Sequence, residues 1–185
     1  SDAGTFQQAN RVLLKQLFDS YDVRASPFNT KNSNASWISD NNLNVTLMRI
    51  RLIDLNERQR QFTVNVGITL EYSDPRLAWN PIAFHSIEHL YLKDESLWFP
   101  KFIPCDSSDF SYPTFEKGEF IVNYLGEILS TYQFTVTYNC DIRNNDFPFD
   151  EQLCMLCFSL PGYRKDELAL RGFSADPPDL YTSHF

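Results

Sequence analysis

The sequence is poor in glycine, in histidine and in basic residues, and each shortage excludes a class of function. Six glycines in 185 residues form no Gly-rich phosphate loop, and the three histidines do not accompany a Cys or Ser nucleophile in any recognisable order. Sixteen Lys and Arg against 24 Asp and Glu give a net charge of −8, whereas a nucleic-acid surface needs clustered basic residues. We therefore expect neither an enzyme nor a nucleic-acid-binding protein, and no cofactor or metal.

Long hydrophobic runs are also missing. No stretch approaches the roughly 18 to 20 apolar residues that a membrane-spanning helix requires. The first four residues lack the basic and apolar pattern of a signal peptide. We expect any signal peptide or membrane segment to lie outside this sequence.

What the sequence contains is enough for one domain with a hydrophobic core. Hydrophobic residues make up 43% and aromatic residues 15% of the chain. A chain of this size buries roughly 70% of its surface on folding. Four cysteines and two glycosylation sequons, at Asn34 and Asn44, indicate an extracellular location.

Apolar periodicity predicts one helix followed by many strands. Phe6, Val12 and Leu13 begin a helical pattern over about residues 5–20. Strict alternation predicts strands over residues 62–72 and 132–140, with shorter candidates at 120–129, 154–159 and 167–173. Between residues 43 and 53 the apolar parity switches, which predicts a β-bulge. The predicted strands do not alternate with helices, as they would in a parallel α/β fold. One N-terminal helix followed by many strands favours a β-sandwich over about residues 43–185.

One motif carries a family resemblance. Cys140 and Cys154 enclose thirteen residues that include Phe147, Pro148, Phe149 and Asp150. This segment resembles the loop that names the Cys-loop receptors, the pentameric ligand-gated ion channels. The resemblance implies a Cys140–Cys154 disulfide and a cis Phe147–Pro148 bond.

Further segments resemble the same family. Residues 11–27 are similar to its N-terminal helix and following turn, and residues 52–66 to its first two strands. Residues 72–81 match its Trp-x-Asp-x-x-Leu-x-Trp-Asn-Pro run with Tyr72 in place of the first Trp. Residues 97–100 match its Ile-Trp-x-Pro step, although Lys101 stands where an Asp is usual.

The resemblance implies a fold, an assembly and a function. The fold would be an immunoglobulin-like β-sandwich with an N-terminal α-helix, forming the extracellular ligand-binding domain of nicotinic-receptor-like or acetylcholine-binding-protein-like proteins. Such domains assemble as homo- or hetero-pentamers and bind a small molecule between subunits. A transmembrane pore domain would follow residue 185. The loops that couple ligand binding to such a pore correspond to Asp54, Asn56, Glu57, Phe147, Pro148, Phe149 and Asp150.

The aromatic cage of cholinergic relatives is largely absent. Matched motifs place its rings at Cys105, Pro161 and Gly67, and only Tyr163 remains aromatic nearby. An acetylcholine site of the usual kind is therefore not expected. The other matched interface positions indicate a mixed polar and aliphatic pocket for another amine or an amphiphile; they are Thr69, Glu71, Glu119, Ile121, Leu129 and Thr131.

Several alternatives remain open from the sequence. Cys105 and Cys157 form a second disulfide or stay as buried thiols, and the Cys154-x-x-Cys157 spacing is half of a zinc motif. The protein is a channel module, a soluble pentameric binding protein, or a structural subunit without a ligand. Residues 179–185 resemble the segment that precedes the family's last two strands, so we expect those strands to be missing. Either the sequence is a fragment, or the protein lacks the hairpin that closes the family's ligand site.

Overall fold

The computed structural model describes residues 2–28, 42–93, 96–105, 107–109, 119–142, 149–163 and 168–174. In these ranges a helix, α1, spans Asp2–Phe18, and 3₁₀ turns span Pro75–Leu77 and Pro81–Phe84. The strands, in chain order, are β1 Asn42–Asn56, β2 Gln61–Ser73, β3 His89–Lys93, β4 Ile103–Pro104, β5 Ser107–Asp109, β6 Glu119–Asn123, β7 Glu127–Asn139, β8 Phe158–Ser159 and β9 Ala169–Ser174.

Helix α1 begins three residues before the predicted start and ends two residues before the predicted end. Its buried residues are Leu13 and Leu17, four apart and therefore on one face. Lys15 lies in the last turn, where a cation is favourable beside the negative end of the helix dipole. The helix contacts the 3₁₀ turn Pro81–Phe84.

The main sheet has the strand order β3-β6-β7-β2-β1-β9, with β5 also paired to β7. All pairs are antiparallel except β1 with β9, which is parallel. The alternation in β2 and β7 is the one predicted: even-numbered residues from Phe62 to Tyr72 and from Ile128 to Tyr138 are buried. The opposite side of these strands carries the polar residues, and we call it the outward face.

Strand β1 contains the predicted bulge and a second one. Leu47 pairs with Ile68 and Arg49 with Gly67, so Met48 is an extra residue without a partner. Ile53 is extra in the same way, between Leu52 and Asp54. Because directly paired residues point to the same side of a sheet, the bulges place Arg49, Arg51 and Asp54 on the outward face.

A smaller sheet, β4 with β8, packs on the buried side of β7. The Phe158 ring lies 5.4 Å from that of Phe134 and 6.0 Å from that of Tyr138. The Tyr138 hydroxyl also donates to the Cys157 carbonyl oxygen at 2.9 Å. This second layer completes the core, and it confirms the predicted class: mostly β, a sandwich with an N-terminal helix.

Two strand predictions were wrong in their limits. Residues 120–129 are not one strand, because a turn at residues 124–126 separates β6 from β7. Gly126 has φ +82, a left-handed conformation that breaks the alternation although Leu125 prolongs the apolar pattern. In the predicted strand at 154–159, only Phe158 and Ser159 pair, with Pro104 and Ile103.

A buried polar cluster joins the end of α1 to the segment after β2. Asp74 is fully buried and accepts from the Tyr21 hydroxyl at 3.0 Å and from Arg76 Nε at 2.8 Å. The Arg76 guanidinium lies 4.5 Å from the Tyr21 ring centroid. The Tyr21 hydroxyl accepts in turn from the Trp98 backbone N–H at 3.0 Å. Burial, opposed by that hydrogen bond from Trp98, raises the pKa of Tyr21 to about 12.

Candidate functional site

The structure brings six of the predicted ligand-binding residues together on the outward face. Gly67, Thr69 and Glu71 alternate along β2, and each lies opposite a residue of β7. Thr69 pairs with Thr131, and their hydroxyl oxygens are 3.2 Å apart. One row across the sheet contains Glu71, Leu129 and Ile121. Glu119 is also in β6, where it pairs with Lys93.

Gly67 is buried although it belongs to the outward face. A Cβ atom at Gly67 would lie 3.7 Å from Arg49 Cβ and 3.8 Å from Gln133 Cγ, which is ordinary van der Waals contact. The side chains of Arg49 and Gln133 therefore flank a position that has no side chain of its own. Sequence reasoning did not single out either residue. The parity switch in β1 was the signal for Arg49, and the alternation in β7 was the signal for Gln133.

The other three predicted residues lie on the opposite side of the main sheet. Tyr163 packs edge-on against buried Phe28, with ring centroids 6.0 Å apart, and its hydroxyl donates to Ser26 Oγ at 2.6 Å. Phe28 in turn contacts Tyr72, on the buried side of β2. Pro161 is exposed in a turn beside β8. Cys105 follows β4, and its backbone N–H donates to the Cys157 carbonyl at 2.9 Å.

Both cysteine pairs are bonded. The implied disulfide between Cys140 and Cys154 is present, and so is the Cys105–Cys157 disulfide that the sequence left open. Cys154 and Cys157 therefore have no thiol left for the half zinc motif. The second bond joins Cys105, after β4, to the segment before β8.

Three of the predicted coupling residues, Asp54, Asn56 and Glu57, lie at one end of the main sheet. The Cys140 backbone N–H donates to the Arg60 carbonyl at 2.8 Å, so the β1–β2 turn lies beside the disulfide loop. In that turn Asn56 Oδ1 accepts from the Gln59 N–H at 3.0 Å, and Glu57 is exposed. Asp54 pairs with Thr63 on the outward face.

The described end of the disulfide loop includes an exposed aromatic ring. Phe149 is 89% exposed, and the neighbouring Asp150 carboxylate accepts from the Gln152 side chain. Phe147, Pro148 and the predicted cis bond lie outside the described residues.

Of the two sequons, one can be located. Asn44 is half-buried on β1, where it pairs with Glu71. Asn34 lies outside the described residues. Among the residues that the structure describes, no helix is long and apolar enough to cross a membrane.

Comparison with protein families decides the relationship. A model of the neurotransmitter-gated ion-channel ligand-binding domain matches residues 10–182. The chain belongs to this family. The match covers the second half of α1 and all of the strands that the structure describes, β1 to β9.

Individual relatives of this ligand-binding domain are acetylcholine receptor subunits. The chain is 29% identical over 165 residues to acetylcholine receptor subunit beta of Rattus norvegicus, covering 89% of the chain and 32% of that protein. It is 29% identical over 168 residues to subunit epsilon of Xenopus laevis, covering 91% and 32%. It is 32% identical over 120 residues to neuronal acetylcholine receptor subunit beta-2 of Carassius auratus, and this match covers 65% of the chain and 26% of that protein. The chain thus spans about a third or less of each relative.

Proposed function

We propose that this domain assembles with like subunits into a homo- or hetero-pentameric ring outside the cell and binds a small molecule between neighbouring subunits. One observation carries the proposal: the predicted ligand-binding residues form two groups on opposite sides of one sheet. Gly67, Thr69 and Thr131 lie on the outward face, whereas Cys105 and Tyr163 belong to the layer on the buried side.

Within a single subunit the two groups cannot line the same pocket, because the main sheet lies between them. A head-to-tail contact between copies brings the outward face of one against the Cys105 and Tyr163 side of the next. Such a heterologous contact generates a ring when its rotation closes. Binding between neighbours then favours one arrangement of the ring over another, which is how a ligand shifts a conformational equilibrium.

A receptor with a pore domain fits better than a soluble binding protein. Phe149 is 89% exposed, and it lies in the loop whose first cysteine, Cys140, donates to the Arg60 carbonyl of the β1–β2 turn. A large apolar side chain left in water is a feature of surfaces that contact another protein or a membrane. A soluble pentamer would have no use for an apolar loop at this end.

A structural subunit that binds no ligand is the second candidate, and the altered cage favours it. Gly67 has no side chain and Cys105 is bonded to Cys157, while Pro161 replaces the third ring. Each lost ring removes about 0.5 to 2 kcal/mol of cation binding, so three remove about 1.5 to 6 kcal/mol, or one to four decades of affinity. Acetylcholine should therefore bind weakly or not at all.

The experiment is light scattering on the complete protein that contains this chain, combined with calorimetric titration of acetylcholine. We expect five subunits and no submicromolar binding. Thr131→Arg, which adds a cation on the outward face, should weaken assembly, whereas Gln8→Arg on exposed α1 should not. A stable monomer would contradict the ring. Submicromolar acetylcholine affinity would show that the pocket lies elsewhere.

A further inference from the structure

One of the two sequons lies inside the main sheet. Asn44 pairs with Glu71 of β2 and with Arg171 of β9, and Thr46 pairs with Thr69 of β2. Because directly paired residues point to the same side of a sheet, Asn44 and Thr46 both lie on the outward face. A sequon that carries a glycan is usually found in a surface loop, whereas this one is in a strand with a neighbour on each side. A glycan at Asn44 would therefore stand on the face that we expect to meet the neighbouring subunit.

The Asn44 side chain is accessible enough to carry a glycan. It is half-buried, and both Glu71 and Arg171, on either side of it, are exposed. The glycan is transferred to the chain before it folds, and transfer needs the Asn amide and the hydroxyl group two residues later. Attachment to the side-chain nitrogen of Asn44 also leaves the backbone hydrogen bonds of β1 free to form, so the modified strand can still join the sheet.

The row of residues that contains Asn44 crosses six strands and changes character along its length. From β3 to β9 it consists of Tyr91, Ile121, Leu129, Glu71, Asn44 and Arg171. At one end the side chains are apolar and partly in solvent: Tyr91 is 75% exposed and Leu129 is 37% exposed. We call strands β3, β6 and β7 the apolar end of the outward face, and β1 with β9 its polar end. Strand β2 lies between the two ends.

The two ends suit different surroundings. The buried centre of a contact between proteins is poor in charged residues and rich in aromatic ones, as the apolar end is. A glycan is bulky and hydrated, so it needs water around it. Neighbouring strands are about 4.8 Å apart, which places Asn44 about 10 Å from Leu129 and about 19 Å from Tyr91 across the sheet. A subunit that packs on the apolar end can therefore leave Asn44 in solvent.

We propose that Asn44 carries an N-linked glycan that occupies the polar end of the outward face, so that a neighbouring copy covers the apolar end and stops short of β1. The division of the face rests on the ring assembly proposed above, whereas the glycan itself does not. In the ring the glycan stands at the border of the contact, one strand from Glu71 and Thr69. Its bulk limits how far across the sheet the neighbouring subunit extends.

Mass spectrometry of the complete protein, expressed in eukaryotic cells and recovered from the cell surface or the medium, tests the glycan. Trypsin leaves residues 32–49 as one peptide that contains both sequons, so the site is assigned from fragment ions and from the Asn34→Gln variant. Treatment with peptide N-glycosidase should convert Asn44 to aspartate. Thr46→Ala should abolish the modification, because it removes the hydroxyl group, and Thr46→Ser should retain it. An unmodified Asn44 would overturn the proposal whether or not the ring forms.

A second sequon at the apolar end tests the division of the face. Leu129→Asn completes a sequon with Ser130 and Thr131, in the same row as Asn44 and two strands away. A glycan at this position should block the contact, so the mass from light scattering should fall from five subunits to one. Leu129→Gln removes the same apolar side chain without creating a sequon. It is the matched control, and it should still assemble.

Removal of the Asn44 glycan from the folded protein by peptide N-glycosidase should leave the five subunits together. Dissociation after this removal would place the polar end within the contact and overturn the division of the face. A ring of five subunits that carry a glycan at position 129 would overturn it as well. If the wild-type protein is a monomer with a modified Asn44, the ring is refuted together with the division of the face, and the glycan is supported.

Discussion

Two constraints favour glycine at position 126, in the turn between β6 and β7. Its φ is +82, a conformation that residues with a Cβ adopt at a cost. A Cβ at this position would also lie 2.5 Å from the Asp74 carbonyl oxygen. The Asp74 N–H donates to the Gly126 carbonyl at 2.8 Å, so this close approach fixes the segment that contains the buried carboxylate.

Gly126→Ala should destabilise the protein by about 1 to 3 kcal/mol, because the backbone must move away from Asp74 or accept the strain. Gly172→Ala is the control: Gly172 is itself exposed on β9, and a Cβ there meets nothing within 4 Å. Its effect should stay within about 0.5 kcal/mol. Urea denaturation of both variants measures the difference. If the two variants unfolded at similar urea concentrations, the close contact between Gly126 and Asp74 would not matter for stability.

At the scale of elements, the Cys105–Cys157 disulfide is the covalent link between β4 and β8. These two short strands share only the pairs Ile103–Ser159 and Pro104–Phe158, too few to hold a sheet by hydrogen bonds alone. The bond spans 52 residues of sequence, against 14 for Cys140–Cys154. It therefore restricts the unfolded chain more strongly.

Replacing Cys105 and Cys157 with Ser should lower stability by up to about 4 kcal/mol, against about 3 kcal/mol for replacing Cys140 and Cys154. The reason is the longer loop that the first bond closes in the unfolded state. Thermal unfolding under non-reducing conditions compares the two double variants. The loop-closure account would be wrong if removing the Cys140–Cys154 bond had the larger effect.

Much of the main sheet was predictable because strand alternation is a local signal. The side of the sheet on which Gly67, Thr69 and Thr131 lie follows from the buried residues next to each of them. Arg49 could not be assigned in the same way, because its side depends on which residue of β1 forms the bulge. That choice is made by pairing with β2, so it becomes visible only when both strands are aligned. The parallel pairing of β1 with β9 is likewise a long-range contact without a local pattern.

At the scale of the whole molecule, tyrosines connect the layers of the core. The Tyr72 hydroxyl donates to the Trp98 carbonyl at 2.6 Å and the Tyr138 hydroxyl to Cys157, while Tyr21 binds Asp74. Burial raises the pKa of Tyr72, Tyr132 and Tyr138, and it raises that of Tyr21 to about 12. The folded state therefore retains protons that the unfolded chain releases near a pH of about 10.

The buried tyrosines should therefore contribute their full share of the free energy of unfolding below pH about 10, and this share should fall as pH rises towards 12. In that window the tyrosines of the unfolded chain lose their protons, whereas those of the folded protein keep them. Melting temperatures between pH 8 and 12 measure the fall. Tyr21→Phe should make the fall shallower. Tyr91→Phe, on β3 and 75% exposed, should leave its slope unchanged. Equal slopes for Tyr21→Phe and the wild type would contradict a contribution from Tyr21.

The division of the candidate site into two groups could not be predicted from local sequence patterns either, because long-range packing decides it. Matched motifs assign Cys105, Tyr163 and Thr69 to one pocket, but only the packing of β8 on β7 shows that a sheet lies between them. The Cys105–Cys157 bond was also undecided, because spacing alone does not bring two cysteines that are 52 residues apart into contact.

The bulge at Met48 has a consequence for how such genes can change length. Met48 has no partner on β2, so a deletion of that single codon would leave Leu47 opposite Ile68 and Arg49 opposite Gly67. The strand would become regular and no side chain would change sides. Ile53 offers the same freedom further along. Deletion of either codon would therefore leave the side chains of the outward face unchanged.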